Sequence, residues 1–327
     1  MIKQLINLTA KIPLVNSYYS GIATIFMLHR VAPYEENKLF PNENMKVSPG
    51  FLEKFILELK ERGYEFISID TLYDILHDEK DVKKKIVLSL DDGYKDNYEI
   101  AYPIFKKHDI PFTIYITTSF PNESSILWWY VLEELIVKNE MLKIGDTVYS
   151  CNTYTEKNDT FMKVREQILK LDQRDILHKL QILFKNYDID WFSKNEELCM
   201  SWSDIKKLSK DSLCTIGGHT VNHYAFNKLR KEDILKEIVD ANTELETHIN
   251  KKVEHFAYPF GSRFEVGDRE VEFIKKLNFK TVTTTRAGNI YHKHKQFANC
   301  CLPRIMLTEN FQISDIGKVR RKRIATV

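Results

Sequence analysis

Residues 86–94 read Ile-Val-Leu-Ser-Leu-Asp-Asp-Gly-Tyr, and this stretch decides both the fold and where to look for a site. Ile86, Val87, Leu88 and Leu90 make the short apolar run of a buried strand. Gly93 permits a sharp exit, so that Asp91 and Asp92 both project from the strand's end. Two adjacent carboxylates resist joint ionisation unless a cation or hydrogen-bond donors neutralise one of them. The pair therefore calls for a partner supplied by another part of the chain.

Upstream of this strand, an apolar run at 23–28 leads into His29-Arg30, a strand with a histidine at its carboxyl end. Residues 49–62 have Pro49 near the start, Phe51, Leu52, Phe55, Ile56 and Leu59 at helical spacing, and Gly63 as terminator. A strand at 65–69 and a short helix at 71–77 follow. Downstream come a helix at 98–108 and a strand at 111–118 rich in β-branched and aromatic residues. This alternation is the signature of a parallel sheet with crossovers, either open and doubly wound or closed into a barrel.

From residue 120 to about 200 the alternation stops, and helical patterns take over at 127–137, 161–171 and 174–184. Without residues 122–200 the chain has 248 residues, close to the ~250 of a complete barrel. The alternation then resumes. Ser203 is expected to cap a short helix through Ile205 and Leu208, followed by a strand at 213–216, a long helix from about 231 to 249, and strands at 253–258, 280–284 and 302–307. The expected organisation is an N-terminal helix or arm at 1–21, one discontinuous α/β barrel domain at 22–121 and 201–310, a helical insertion at 122–200, and a basic tail at 311–327.

With 43% hydrophobic and 29% charged residues, the chain of 327 can bury a substantial core and is not of disordered composition. A net charge of +2 with scattered basic residues gives no support for nucleic-acid binding. The basic run 318–323 and a stripe of Ile2, Leu5 and Ile6 leave room for peripheral contact with an anionic membrane face. No apolar run approaches the ~20 residues of a membrane span. Five cysteines without CxxC spacing indicate neither a disulfide framework nor a cysteine zinc site, and fit a reducing, cytoplasmic setting.

Well over a hundred residues after the paired aspartates, Gly217-Gly218 is followed by His219-Thr220-Val221-Asn222-His223. Four apart, both imidazoles share one face if the chain turns helical there, as two metal ligands must. An HxxxH alone is weak evidence. Its weight comes from its place at a strand's carboxyl end, where α/β folds gather their sites and where Asp91 and Asp92 also sit. Two imidazole nitrogens and one carboxylate oxygen leave a coordination position open, which is the catalytic rather than the structural pattern for zinc.

The combination resembles the polysaccharide deacetylase family, also described as the NodB homology domain or carbohydrate esterase family 4. Ser89-Leu90-Asp91-Asp92-Gly93 is similar to its T-F-D-D-G, residues 219–223 to its H-[ST]-x-x-H, and Phe256-Ala257-Tyr258-Pro259-Phe260-Gly261 to its R-x-P-[YF] stretch. The resemblance covers roughly residues 22–120 and 200–307. It implies a distorted (β/α) barrel of about seven strands and metal-dependent removal of acetyl groups from N-acetylated sugars. Carried over, Asp91 is the general base, Asp92, His219 and His223 hold a divalent metal, expected to be Zn2+, and the backbone N–H of Phe260 is an oxyanion donor.

Two departures stand out. The family's late L-x-H acid has only His292 and His294 as candidates, both in a polar stretch, whereas Met27-Leu28-His29-Arg30-Val31 resembles the N-terminal histidine of circularly permuted members, so His29 is the expected acid. Ala257 stands where an arginine often orients the base, and Arg304, in Leu302-Pro303-Arg304-Ile305, is expected to replace it with its planar fork. Tyr258 and Trp128 are candidates for lining a sugar site. The expected substrate is an N-acetylated sugar in a polysaccharide or in a glycan or glycolipid precursor of surface-polysaccharide assembly. Hydrolysis of a non-sugar linear amide and a catalytically silent sugar-binding barrel are the alternatives.

Overall fold

The computed structural model describes residues 20–318. The expected N-terminal helix with Ile2, Leu5 and Ile6, and the basic run from 319 on, lie outside the described residues. Strands β1 (Ala23–Leu28), β2 (Lys85–Leu90), β3 (Phe112–Ile116), β4 (Cys214–Gly218), β5 (His255–Ala257), β6 (Thr281–Thr283) and β7 (Ile305–Met306) form one parallel sheet. Their order is β6-β5-β4-β3-β2-β1-β7, with the two-residue strand Glu65–Phe66 paired to β2. A bridge between Thr283 and Leu302, with Thr284 N–H to Leu302 O at 2.9 Å and Arg304 N–H to Arg286 O at 3.0 Å, brings the two ends together. The sheet thus curls into a distorted barrel. Being covered on both faces, β1 and β3 are buried along their whole length, as parallel strands wrapped by helices must be.

The strands' outward residues Phe26, Leu88, Leu90, Phe112 and Ile114 pack against Leu52, Phe55, Ile56 and Leu59 of the helix Pro49–Glu61. The inward side is more polar and carries Ser89, Asp91 and Arg304. Tyr115 also turns inward, which explains the glycine opposite it: a Cβ on Gly217 would lie 2.5 Å from the Tyr115 ring. Gly217→Ala is therefore expected to cost about 1–3 kcal/mol through overpacking. Thermal or urea unfolding reads the loss, and an unchanged midpoint would mean that the Tyr115 ring moves aside freely.

Helix starts differ from the sequence reading where a nearer cap wins. Ser201, not Ser203, caps Trp202–Leu208, because Asp204 three residues on returns a bond to it and closes a capping box. Ser68 likewise starts the next helix at Ile69, shortening the strand expected at 65–69. The segment expected as one helix at 98–108 begins as a π-helical turn, Asn97–Ala101, before Tyr102–Lys107.

The insertion carries helices Trp128–Lys138, Tyr154–Ile168 and Ile176–Leu183 around a core of its own that includes Leu132, Leu142, Phe161, Val164 and Phe184. It is not wholly helical. Met141–Ile144 and Thr147–Ser150 form an antiparallel hairpin about Gly145-Asp146, with Gly145 at φ +58° and Leu142, Ile144 and Tyr149 turned inward. No helix among the described residues is long and apolar enough to cross a membrane.

Candidate active site

At the carboxyl end of β2 the Asp91 N–H donates to Leu28 O at 3.0 Å, so the ends of β1 and β2 stay in register as the chain leaves the sheet. Asp92 and Gly93 then take φ of +77° and +98°, and Thr117 N–H donates to Asp92 O at 3.1 Å. This left-handed turn aims both carboxylates into the barrel mouth. Asp91 and Asp92 are 2% and 4% exposed, so each depends on partners rather than water.

His219 follows β4 and is held by its N–H to Ile116 O at 2.9 Å. The chain does not become helical after it. Thr220 and His223 have φ of +71° and +58°, and Glu237 of the helix Lys231–Ile249 accepts the N–H groups of Val221 and Asn222 at 3.1 and 2.8 Å. Thr118 and Ser119 N–H groups donate to Thr220 and Val221 carbonyls, so this loop's backbone bonds run across to the segment after β3. The shared helix face expected for His219 and His223 is replaced by a pinned loop, yet the two rings still meet, 5.0 Å apart between centroids.

Both rings point at one oxygen. His219 Nε2 and His223 Nε2 each lie 3.3 Å from Asp92 Oδ1, and the three donor atoms fall within 4.8 Å of one another. His219 Nδ1–H donates to Ala257 O at 2.7 Å, which fixes the ring with Nε2 turned inward. Asp92 Oδ1 is buried and makes no hydrogen bond. Burial opposes ionisation of Asp92, but His223 and His219 outweigh it and hold the carboxyl well below the usual range. An orphaned carboxylate oxygen between two imidazole nitrogens fits a divalent ion, with positions left for other ligands.

Beside this trio Arg304 grips Asp91 with a two-pronged contact, Nη1 to Oδ1 at 2.6 Å and Nη2 to Oδ2 at 2.7 Å. The guanidinium is wholly buried and also donates to Ser89 Oγ at 3.2 Å and Thr284 O at 3.0 Å. Burial pushes Asp91 up, and Arg304 and His219 more than offset it, so the carboxyl sits below its ordinary value. A carboxylate held in this way stays ionised and is fixed in direction.

A cleft of about 320 Å³ opens over these groups, bordered by His29, Asp91, Asp92, His219, His223 and Phe260. His29 is partly buried, with its Nδ1 shielded from solvent and unpartnered, and desolvation pushes its imidazole down despite the nearby aspartates. Phe260, at φ +58°, packs its ring 4.9 Å from that of His223, and its carbonyl accepts from Thr285 Oγ1 at 2.6 Å. Trp128, with Trp129, Tyr130 and Phe161, makes the insertion one wall of the cleft. Tyr258 does not reach it: the ring is fully buried, edge-on to Phe226 and Phe256 at 5.7 Å, because residues after β5 alternate sides and this one faces the outer core. His294 is likewise away from the cleft, its ring taken up by the Tyr291 N–H at 2.9 Å and pushed down to about 4 by burial.

The profile of the family described as polysaccharide deacetylase matches residues 78–282 of this sequence. The chain belongs to the polysaccharide deacetylase family. These are hydrolases acting on carbon–nitrogen bonds other than peptide bonds. The fold agrees with that of solved deacetylases. Streptococcus pyogenes deacetylase PplD, solved with acetate, superposes with a TM-score of 0.57 at 19% identity over 88% of this chain and 93% of its own. IcaB from Ammonifex degensii does so with 0.58 at 18% identity over 92% and 97%. YxkH of Bacillus subtilis (strain 168), itself only provisionally named a polysaccharide deacetylase, is 30% identical over 74 residues, which are 22% of this chain and 26% of that protein.

Sequence reading missed two contributors to this deacetylase cleft. Arg30 pairs with Asp96 at 2.7 Å and lies over the rings of Tyr94 and Tyr130 at 5.5 and 5.4 Å, tying the end of β1 to the insertion. Arg165 borders the cleft from the insertion. It shares a helix face with Phe161, four residues earlier, and only the observed packing shows which way that face looks.

Proposed function

We propose that the protein removes the acetyl group from an N-acetylated sugar of a polysaccharide or glycan precursor, using a divalent metal, Zn2+ in the first instance, held by Asp92, His219 and His223. The observation that carries this reading is the convergence of both imidazole Nε2 atoms on the orphaned Asp92 Oδ1 beside a clamped, ionised Asp91. A divalent ion bound there would polarise the acetamido carbonyl and acidify water at neutral pH. Asp91, held by Arg304, takes the proton of the attacking water. Phe260 borders the cleft, and its N–H, which donates to no described residue, is the donor we assign to the developing oxyanion.

His29 delivers a proton to the departing amine. Burial pushes its pKa down, so the imidazole rests neutral, takes up a proton from solvent before donating it, and the proton that Asp91 collects from the attacking water returns to solvent to close the balance. His29→Ala is expected to lower kcat by about 10²–10⁴-fold with zinc content unchanged. A variant with wild-type kcat would take His29 out of the reaction.

The direct test is acetate release by metal-depleted and zinc-reconstituted protein over nucleotide sugars, lipid-linked sugars and chitin-like oligomers. Release only after reconstitution supports the reading. Release without metal, or none from any N-acetylated sugar while a linear non-sugar amide is cut, would replace it.

A further inference from the structure

The walls of the cleft are aromatic, and its charges are nearly all spoken for. Asp91 is clamped by Arg304, and Asp92 faces the two histidines. Arg165 is the one lysine or arginine that borders the cleft among the described residues, and it stands apart. Its side chain is half-buried, and no carboxylate or carbonyl among the described residues accepts from it. Arg30, just after β1, and Arg304, just before β7, are both paired with aspartates. Its place in the last turn of Tyr154–Ile168 suits the helix dipole. That accounts for its backbone position and not for a guanidinium turned into the cleft beside Phe161, Trp128 and Trp129.

A half-buried guanidinium against apolar walls gives up part of its hydration with no protein acceptor in exchange, which leaves its donors available to an anion entering the cleft. Its planar fork suits a carboxylate or a phosphate, either of which accepts two parallel N–H bonds. Apart from Asp91 and Asp92, which are already engaged, no acid among the described residues borders the cleft. We propose that Arg165 binds an oxyanion carried by the substrate, so that the protein acts on an acidic N-acetylated saccharide rather than a neutral one. The oxyanion is either a uronate carboxylate beside the reacting residue or a phosphate attached to it. This inference rests on the deacetylase reading for the reaction, but the binding it describes does not need turnover.

Three probes separate the possibilities: neutral chitotetraose, an oligosaccharide alternating N-acetylglucosamine with glucuronate, and UDP-N-acetylglucosamine. Each is offered to zinc-loaded wild type, Arg165→Ala and Arg165→Gln, with acetate release and binding by tryptophan fluorescence both recorded. Wild type is expected to bind at least one acidic probe tenfold or more tightly than chitotetraose. Both variants should lose that advantage, through KM rather than kcat, and handle chitotetraose within twofold of wild type. Preference for the glucuronate oligomer identifies a carboxylate, and preference for the nucleotide sugar a phosphate. Wild type binding the neutral oligomer as tightly as either acidic probe overturns the proposal, as do variants that weaken all three probes alike or none. If no probe releases acetate yet the acidic preference depends on Arg165, the subsite stands and the deacetylase reading falls. Should Arg165→Ala not fold, Arg165→Gln, which keeps most of the stem, carries the comparison.

Discussion

Asp92→Ala is expected to leave a folded protein that retains less than about a tenth of the wild-type zinc and has lost roughly 10³-fold or more in kcat/KM, several kcal/mol of transition-state stabilisation. The reason lies in the donor set. Asp92 Oδ1 is the point on which both histidine Nε2 atoms converge at 3.3 Å, and without it the two imidazoles face each other with no anionic donor to offset a dication. His219→Ala should lose metal in the same way, because its Nδ1 bond to Ala257 fixes the tautomer that presents Nε2. Metal analysis on dialysed variants checks both. An Asp92→Ala protein with a full complement of tightly held zinc and wild-type turnover would show that the ion sits elsewhere.

The second large effect concerns Arg304. Arg304→Met should cost about 3–5 kcal/mol, the usual consequence of removing one partner of a buried pair, and should also abolish turnover. The fully buried Asp91 would lose both prongs of its clamp and the cation that offsets its burial, so its pKa would rise. With the carboxyl then protonated more readily in the folded than in the unfolded chain, the deficit is greatest at neutral pH and shrinks as the pH falls. Urea unfolding of metal-free protein at pH 7 and pH 5 reads this sign. The double variant Asp91→Leu/Arg304→Met should recover much of the stability but none of the activity, since a buried pair can be replaced by apolar groups at little cost. A single variant as stable as wild type would mean that the guanidinium is not needed to hold Asp91 in the fold.

Much of this arrangement is legible in the sequence, for reasons that differ residue by residue. Asp91 and Asp92 stand out because paired carboxylates after a buried strand are unstable alone, and Arg304 because a base without a neighbouring arginine needs a cation from another strand. The pairing of His219 with His223 is visible as spacing, although the cause is not a helix. It is a loop pinned by Glu237, a residue whose role depends on where the helix Lys231–Ile249 packs. The hairpin about Gly145-Asp146 has a local signal in the alternation of Met141-Leu142-Lys143-Ile144, outweighed by the helical patterns on either side. Tyr258 and Arg165 show the limit most clearly. Both are one-sided choices between core and cleft, and only long-range packing makes them.

One ion is expected to join the first half of the barrel to the second. Anomalous diffraction at the zinc edge from crystals of zinc-loaded protein locates it. A single strong peak should appear about 2.0–2.2 Å from a carboxylate oxygen of Asp92 and from Nε2 of His219 and His223, with Asp91 beside it but not coordinated. A peak bound by other residues, or zinc-loaded crystals with no peak among these three side chains, would contradict it.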